Sequence, residues 1–392
     1  MTPSERERRV IVHCVPTLHV GGVNRSLLAN LRELASGDHQ HVLCVLSDSL
    51  AMAPAFEALG IEVVTLGHSG RAHTLRTIRR IRTLLRERDA SIVHTHLLLP
   101  RVLAGLAART AGVPHVATVH STQREEFLDP DSSTVRRRFV LTSQAAADDR
   151  LVTRFVAVSQ AAAELLREIR PRSADRIVVI PNGIELGEFD APAAAVLDEL
   201  RTSLGIAPTD RVILNVGRMV PAKNQQVLVP VMERLLATNP DARLLVVGQG
   251  KIQDEITALV QAADLGDRIE LLGLRTDVPS LLHLAEVVVA PSTEEGFGLI
   301  LIEALATRTP VVASDIAAFT ELIESGTEAV LVPPHDATGF AAALADALDH
   351  PDTARQRADA GRAMVERRFT SQAVARQLDD LYTSLIAEPD GG

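Results

Sequence analysis

Two glutamates flank a glycine-containing loop in the second half of the 392-residue chain, and this stretch is its most informative one. An apolar run ends at Ala290, Glu295 follows in the loop, and Glu303 lies in the second turn of the next apolar helical pattern. A strand–loop–helix junction presents free backbone N–H groups at the positive end of a helix, where phosphate binds. With two carboxylates to accept hydroxyl protons, such a junction suits a polyhydroxylated ligand that carries phosphate. The alternative is a plain turn with solvated glutamates.

Short apolar runs alternate with helical patterns in both halves of the chain, and this alternation predicts the elements that position the loop. Nearly continuous apolar runs are typical of parallel strands buried on both faces, so each half is expected to form a doubly wound α/β sheet. The breakers Pro181-Asn182-Gly183 and Asp190-Ala191-Pro192 mark the join. We predict a first domain over residues 1–187 and a second over 188–367, with a helix at about 368–388 able to pack back on the first.

The two predicted sheets imply a cleft in which the carboxyl ends of their strands face each other. The predicted strands are Val10–Val15, His41–Leu46, Ile61–Leu66, Ser91–His96, His115–His120, Phe155–Ser159 and Ile177–Ile180 in the first half, and Val212–Val216, Leu244–Val247, Ile269–Leu272, Val287–Ala290, Val311–Ala313 and Ala329–Val332 in the second. The predicted helices include Asn24–Ala35, Leu75–Arg88, Asn224–Ala237 and Leu299–Ala306.

The spacing from Glu295 to Glu303, within the run Glu-Gly-Phe-Gly-Leu and before Glu-Ala, resembles the E-x7-E signature of the family 4 retaining glycosyltransferases. Other segments resemble that family in the same order over almost the whole chain: Gly21-Gly22, His94-Thr95-His96, Thr118-Val119-His120, Ile180–Ile184, Gly217-Arg218, Lys223-Asn224, Gly248-Gln249-Gly250 and Leu272-Gly273. The resemblance implies the GT-B fold, in which two Rossmann-like doubly wound domains face a central cleft.

The resemblance also implies an activity, the retaining transfer of a sugar from a nucleoside diphosphate sugar to a hydroxyl acceptor. UDP-sugars are favoured over GDP-sugars, and the unknown acceptor is a small molecule or lipid-linked. No cofactor is implied beyond the nucleotide-sugar co-substrate. The implied catalytic residues are His120, Arg218, Lys223 and Glu295; donor binding is assigned to these last three and to Gly21, Gly22, Gly217, Gly248, Gly273, Arg275, Gly296, Phe297, Gly298, Leu299, Ile300 and Glu303, and acceptor binding to Arg25, His94 and His96.

Arg218 and Lys223 have the charges that a departing diphosphate needs, since a guanidinium grips phosphate oxygens in pairs and an ammonium adds a point charge. The chain has only two lysines, so Lys223 is hard to regard as surface filler, whereas Lys251 is expected to be ordinary surface. In the family, a glycine usually stands where this chain has Arg308. A left-handed cap there would be strained.

The histidines leave two interpretations open. His94 and His96 share one strand face and could hold a metal, but no third ligand with suitable spacing stands out, and the family is generally metal-independent. We therefore predict no metal. His120 would contact the transferred sugar, unless it is an interior histidine with its hydrogen bonds satisfied.

Composition limits the partners. With no Trp, one Tyr and nine Phe in 392 residues, the chain has few aromatic side chains on which single-stranded nucleic acid could stack. The net charge of −10 is uneven: the first 187 residues have 24 Arg against 19 acidic residues. The arginines of Leu75–Arg88 and Arg136–Arg138 could contact an anionic membrane surface, or could form a solvated face. Two cysteines and no apolar leader favour a cytoplasmic protein.

Two other function classes compete with the transferase. One is a non-catalytic nucleotide-sugar-binding partner, which would have no chemical need for Arg218, Lys223 and both glutamates. The other is a different GT-B enzyme such as an epimerase. A dinucleotide dehydrogenase is excluded because the run after Gly248 and Gly250 lacks the third glycine of its fingerprint.

Overall fold

The chain folds into two compact α/β units. A computed structural model describes residues 9–68, 73–120 and 148–387. One unit comprises the residues up to Ile184 together with those from Ser371 onward, and the other is Glu185–Thr370. The first unit thus ends three residues before the predicted boundary at residue 187.

The first unit is built on a seven-stranded sheet with the order β3-β2-β1-β4-β5-β6-β7, in which the paired strands are parallel. The strand order reverses at the neighbouring strands β1 and β4. In doubly wound sheets, ligands bind in the crevice at this topological switch point. The strands are β1 (Arg9–Val15), β2 (His39–Val45), β3 (Glu62–Thr65), β4 (Ala90–His96), β5 (His115–Val119), β6 (Arg154–Ala157) and β7 (Ile177–Val179).

The C-terminal helix belongs to this first unit and packs on its first helix. Val374, Leu378, Tyr382 and Leu385 recur at helical spacing and are all buried there. The backbone N–H of Ser371 donates to the Ile184 carbonyl, where the chain returns to the unit. The helices are α1 (Gly22–Leu34), α2 (Ala53–Glu57), α3 (Thr74–Glu87), α4 (Leu98–Ala111), α5 (Gln160–Ile169) and, at the C-terminus, Ser371–Ala387.

The second unit repeats the scheme with a six-stranded sheet of order β10-β9-β8-β11-β12-β13, whose switch point lies between β8 and β11. Its strands are β8 (Arg211–Val216), β9 (Ala242–Val247), β10 (Ile269–Gly273), β11 (Val287–Ala290), β12 (Val311–Ser314) and β13 (Val330–Val332). Its helices are α6 (Ala194–Ser203), α7 (Leu228–Leu235), α8 (Gln253–Ala262), α9 (Val278–Leu284), α10 (Leu299–Ala306), α11 (Ala317–Thr320), α12 (Ala337–Asp349) and α13 (Pro351–Arg368); the helix Ser371–Ala387 is α14.

The predicted helix Asn224–Ala237 is wrong at its start. Asn224 has a left-handed backbone, φ +53°, between two short 3-10 turns, Pro221–Lys223 and Gln225–Val227, and α7 begins only at Leu228. The Asn224 side chain donates to the carbonyls of Pro291 (3.1 Å) and Pro334 (2.9 Å). Asparagine tolerates this backbone, and the two side-chain hydrogen bonds, one buried and one part-buried, outweigh the local helical pattern.

Arg308 also adopts a left-handed backbone, with φ +60°, after the end of α10. An L side chain is strained there by about 1–2 kcal/mol. Replacing Arg308 by glycine should therefore raise the free energy of unfolding by about 1 kcal/mol, measured by urea denaturation followed by circular dichroism.

The matched control is Arg308→Ala. It removes the exposed ion pair from the guanidinium to Asp359, 3.3 Å, but keeps the strained Cβ. If alanine stabilises the protein as much as glycine does, backbone strain is not the cause.

Candidate active site

Lys223 and Glu295 form an ion pair at the switch point of the second sheet. Lys223 ends a 3-10 turn in the segment after β8, and Glu295 lies in the loop between β11 and α10. The Ser292 hydroxyl donates to the same Glu295 oxygen at 3.1 Å. Both charged side chains keep some exposure, 23% for Lys223 and 12% for Glu295. A positive and a negative group are therefore held together where a ligand can still reach them.

One backbone and one side-chain hydrogen bond fix these two segments against each other. The Thr293 N–H donates to the Ala222 carbonyl at 2.8 Å, and the Asn224 side chain reaches the Pro291 carbonyl. The left-handed turn at Asn224 is thus what carries Lys223 to the loop. Ser292 is a residue that the sequence did not single out, whereas Asn224 belongs to the predicted Lys223-Asn224 segment but had no role assigned to it.

The loop leads into the predicted helix, and α10 spans Leu299–Ala306, as the sequence indicated. Gly298 caps it with φ +100°, and a Cβ there would lie 2.6 Å from the Phe319 ring. Among the residues that the structure describes, no side chain caps this end, so the first N–H groups of α10 are available to an anion. Gly296, Phe297, Gly298 and Ile300 are buried, and Leu299 is half-buried. Glu303 is buried within α10.

The predicted glycines Gly217, Gly248 and Gly273 lie at the ends of β8, β9 and β10. The Gly248 N–H donates to the Gly273 carbonyl at 2.8 Å, and a Cβ on Gly248 would lie 1.9 Å from the Gly217 carbonyl oxygen. Packing of these three backbones therefore requires glycine at position 248 whatever binds there.

The two predicted arginines of this unit differ in their surroundings. Arg218 is exposed, directly after Gly217. The Arg275 guanidinium instead donates to both oxygens of Asp277, at 2.8 and 2.5 Å. Nε and one terminal nitrogen of Arg275 are therefore already bonded to a carboxylate, which leaves less of its guanidinium for a donor.

In the first unit, β1, β4 and β5 place histidines side by side. His13 pairs in register with His94, and His96 pairs with Thr118, two residues before His120. Ring centroids lie 4.5 Å apart for His94 and His96, and 5.5 Å apart for His96 and His120. The rings of His13, His94 and His96 are buried and that of His120 is half-buried.

Hydrogen bonds tie this histidine cluster to the C-terminal helix. The Tyr382 hydroxyl and the Thr118 hydroxyl each lie 2.6 Å from a different nitrogen of His94. His96 Nδ1 lies 3.3 Å from His120 Nε2, and His13 Nε2 lies 3.0 Å from His41 Nδ1. Sequence spacing gave no signal for His13 or Tyr382, because strand pairing and helix packing bring them in from distant segments.

Burial keeps these imidazoles neutral. It lowers the pKa of His13, His94 and His96 well below the ordinary value, and neighbouring histidines lower these pKa values further. Burial lowers the pKa of His120 to about 4. The rings are therefore hydrogen-bonding groups, each with one N–H, at neutral pH.

His13 is the third potential metal ligand, beside His94 and His96, for which the sequence gave no signal. One nitrogen from each lies within 4.8 Å of the others. Neutral imidazole is the form that binds a metal. Both nitrogens of His94 already have hydrogen-bond partners, so a metal would have to displace Tyr382 or Thr118.

The remaining first-unit predictions lie at the start of α1. Gly21 is its N-cap, Gly22 its first residue, and Arg25 lies half-buried in the first turn. The Asn24 side chain holds the preceding loop by donating to the carbonyls of Thr17 and His19. Further along α1, Ser26 and Asn30 line a small pocket together with the histidine cluster. The glycine turn and the histidines thus share one side of this unit.

The arginine-rich helix α3 shows contacts that a solvated face need not have. Arg80 donates to the carbonyls of Leu66 (2.6 Å) and Thr65 (3.1 Å), and Arg88, just after α3, pairs with Glu62. Arg136–Arg138 lie outside the described residues. Among the helices that the structure describes, none is long and apolar enough to span a bilayer.

Two protein families match the chain. Residues 20–188 match the family described as "Glycosyltransferase Family 4", and residues 197–364 match "Glycosyl transferases group 1". The chain is 31% identical to the phosphatidyl-myo-inositol mannosyltransferase of Mycolicibacterium smegmatis, over 84% of this chain and 81% of the relative. It is 30% identical to a UDP-Gal:alpha-D-GlcNAc-diphosphoundecaprenol alpha-1,3-galactosyltransferase of Escherichia coli, over 68% of each chain.

Solved structures share the fold. HepE of Anabaena, crystallised with UDP and glucose, superimposes with a TM-score of 0.83 at 21% identity, over 96% of this chain and 100% of that one. Sucrose-phosphate synthase of Thermosynechococcus elongatus gives a TM-score of 0.80 at 23% identity, over 97% and 100%. The predicted fold class, GT-B with two Rossmann-like units, is thereby confirmed.

Proposed function

The chain belongs to the family 4 glycosyltransferases, and from that premise we propose that it transfers a sugar, with retention, from a nucleoside diphosphate sugar to a hydroxyl acceptor. UDP-sugars are the favoured donors. The observation that carries the proposal is the ion pair of Lys223 and Glu295 beside the uncapped start of α10.

The chemistry of this site follows from its charges. Breaking the bond between the sugar and the diphosphate moves negative charge onto the diphosphate. Lys223, Arg218 and the first N–H groups of α10 stabilise that charge as it develops. Glu295 accepts hydrogen bonds from hydroxyls of the transferred sugar, and its bond to Ser292 keeps it oriented. Glu303 binds the donor ribose and His120 binds the sugar, as the family resemblance implies.

Retention of configuration requires the acceptor hydroxyl to approach from the face that the diphosphate leaves. The leaving diphosphate then takes the acceptor proton, so no protein base behind the anomeric carbon is needed. A relative named for phosphatidyl-myo-inositol and one named for a diphosphoundecaprenol acceptor support a hydroxyl acceptor that is small or lipid-linked.

The test is a co-substrate screen followed by product analysis. Purified protein is incubated with UDP-, GDP- and ADP-sugars and with free or lipid-linked polyols, and release of nucleoside diphosphate is measured. Proton NMR of the purified product then gives the anomeric coupling. An α-linked donor should give an α-linked product. A β-linked product would refute retention, and no diphosphate release above hydrolysis would favour a non-catalytic binding protein.

We also expect turnover to persist in excess EDTA, because Lys223, Arg218 and the amides of α10 provide the positive charge that a divalent ion would otherwise supply. The measurement is the initial rate of diphosphate release with and without chelator. Asp129 and Asp131 have the spacing of a D-x-D metal motif and lie outside the described residues. If chelation stops turnover and Mg²⁺ or Mn²⁺ restores it, a metal at the diphosphate replaces this assignment.

A further inference from the structure

The ends of β4 and β5 are joined by one side-chain hydrogen bond between two histidines. His96 Nδ1 lies 3.3 Å from His120 Nε2. His96 is the last residue of β4 and His120 follows the last residue of β5. Which ring carries the bridging hydrogen decides what His120 offers to a ligand.

Both rings are neutral at physiological pH, because burial and the neighbouring ring lower the pKa of His96, and burial lowers the pKa of His120. A neutral imidazole has one N–H and one bare nitrogen. The hydrogen bond therefore has two arrangements. In the first, His96 Nδ1–H donates and His120 carries its hydrogen on Nδ1. In the second, His120 Nε2–H donates and His96 carries its hydrogen on Nε2.

The surroundings of His96 distinguish the two arrangements. Its Nε2 is buried and has no hydrogen-bond partner in the described parts of the chain. The second arrangement would bury an N–H there without an acceptor, which native structures rarely contain. The first leaves only a bare nitrogen lone pair at that position. It also puts the hydrogen of His120 on Nδ1, in a half-buried ring that lines the pocket.

The His96 ring has little freedom to find another partner. It lies 4.5 Å, centroid to centroid, from the His94 ring and is nearly parallel to the His13 ring at 6.0 Å. His94 is itself held on both sides, by Tyr382 and Thr118 at 2.6 Å each. The cluster therefore keeps Nδ1 of His96 directed at His120.

We propose that His96 is a positioning residue that holds His120 in the tautomer protonated at Nδ1, so that His120 presents a hydrogen-bond donor to an oxygen of the transferred sugar. The tautomer follows from the free protein, whereas its use in sugar binding rests on the proposed function. No proton is transferred in this role.

The tautomer is read directly by NMR on the full chain with ¹⁵N-labelled histidine. Two-bond nitrogen–proton correlations distinguish a protonated ring nitrogen from a bare one, and comparison with a His120→Gln spectrum assigns the signals. The expected result at neutral pH is a protonated Nδ1 and a bare Nε2 in His120, with the reverse order absent. A protonated Nε2 overturns the proposal even if the enzyme is active. If the expected tautomer is found but the protein has no transfer activity, the proposed function is refuted and the assignment of the tautomer stands.

Variants test whether the donor of His96 matters to turnover. His96→Asn keeps an N–H that can reach His120, whereas His96→Leu removes it. We expect the kcat/KM of His96→Asn to be at least about tenfold higher than that of His96→Leu. The loss of one hydrogen bond between neutral groups in a site without water lowers the rate by about that factor. NMR should show His120 still protonated at Nδ1 in the asparagine variant and as a mixture of tautomers in the leucine variant.

The matched control is His115→Leu. His115 is equally buried and lies on β5, but its nitrogens bond to Thr95 and to the Leu151 carbonyl, away from His120. If His115→Leu lowers kcat/KM as much as His96→Leu does, or if asparagine and leucine at position 96 are equivalent, His96 is only structural.

Discussion

Lys223→Ala is expected to lower kcat/KM by about 30- to 1000-fold. Loss of one charge-assisted contact to the departing diphosphate costs about 2–4 kcal/mol of transition-state stabilisation. The variant also removes the ion-pair partner of Glu295, so that the negative charge of Glu295 then lies beside the position where the anionic diphosphate binds. The measurement is steady-state kinetics of diphosphate release, with the fold confirmed by circular dichroism.

The chain provides its own control for this experiment, because Lys251 is its only other lysine. Lys251 is exposed, next to the strand-end glycines and just before α8. Lys251→Ala removes the same charge from the same unit, and its kcat/KM should stay close to that of the parent protein. A loss below threefold in Lys223→Ala, or an equal loss in both variants, contradicts the role of Lys223.

The first unit is expected to lose at least about 4 kcal/mol of its free energy of unfolding between pH 7.5 and pH 5.5. Burial lowers the pKa of His41, His115 and His120 to about 4 in the folded protein, against about 6.5 in an unfolded chain. Between about pH 4 and pH 6.5 the unfolded chain binds more protons than the folded protein. The stabilisation from these groups is therefore fully present above about pH 6.5 and is lost as the pH is lowered. At pH 5.5, each of the three histidines lowers the free energy of unfolding by about 1.4 kcal/mol.

The other lowered pKa values among the described residues do not reverse this sign. The pKa values of His13, His94 and His96 are also lowered, so they add to the loss. Glu62 and Asp277 have lowered pKa values, because Arg88 and Arg275 donate to their carboxylates, and they lose their stabilising effect only at more acidic pH. A total stability of about 5–15 kcal/mol is typical, so the first unit should be acid-labile.

Urea unfolding at each pH measures this effect, and Tyr382 is a natural probe of the first unit. The chain has no tryptophan and this single tyrosine, which is fully buried in α14. Tyrosine fluorescence therefore reports the unfolding of that unit. In His115→Gln the same pH change should cost about 1.4 kcal/mol less, because one titrating group is gone. An unfolding free energy that does not change between the two pH values would show that the cluster is solvated and not buried.

Local pattern was sufficient for much of the fold. Every predicted strand is a strand, with ends that shift by one or two residues, because a continuous apolar run buried on both faces has no competing structure of similar stability. The loop from Ala290 to α10 was also predictable, since its strand, glycines and helix are consecutive in sequence. The family resemblance rests on the same consecutive residues.

Long-range contacts decided the rest. Asn224 lies in a helical pattern, yet hydrogen bonds to Pro291 and Pro334 hold it in a left-handed turn that brings Lys223 to Glu295. A helical pattern records only neighbours within a turn or two, and these partners are far away along the chain.

The histidine cluster shows the same division. From the sequence, His94 and His96 could be placed on one strand face and His120 at the end of the next strand. Only the packed sheet brings His13 beside them, and only the return of α14 brings Tyr382 to His94. The residue types and their local spacing came from the sequence, whereas the hydrogen bonds that orient each ring depend on strand order and helix packing, because those bonds join segments that meet only in the folded unit.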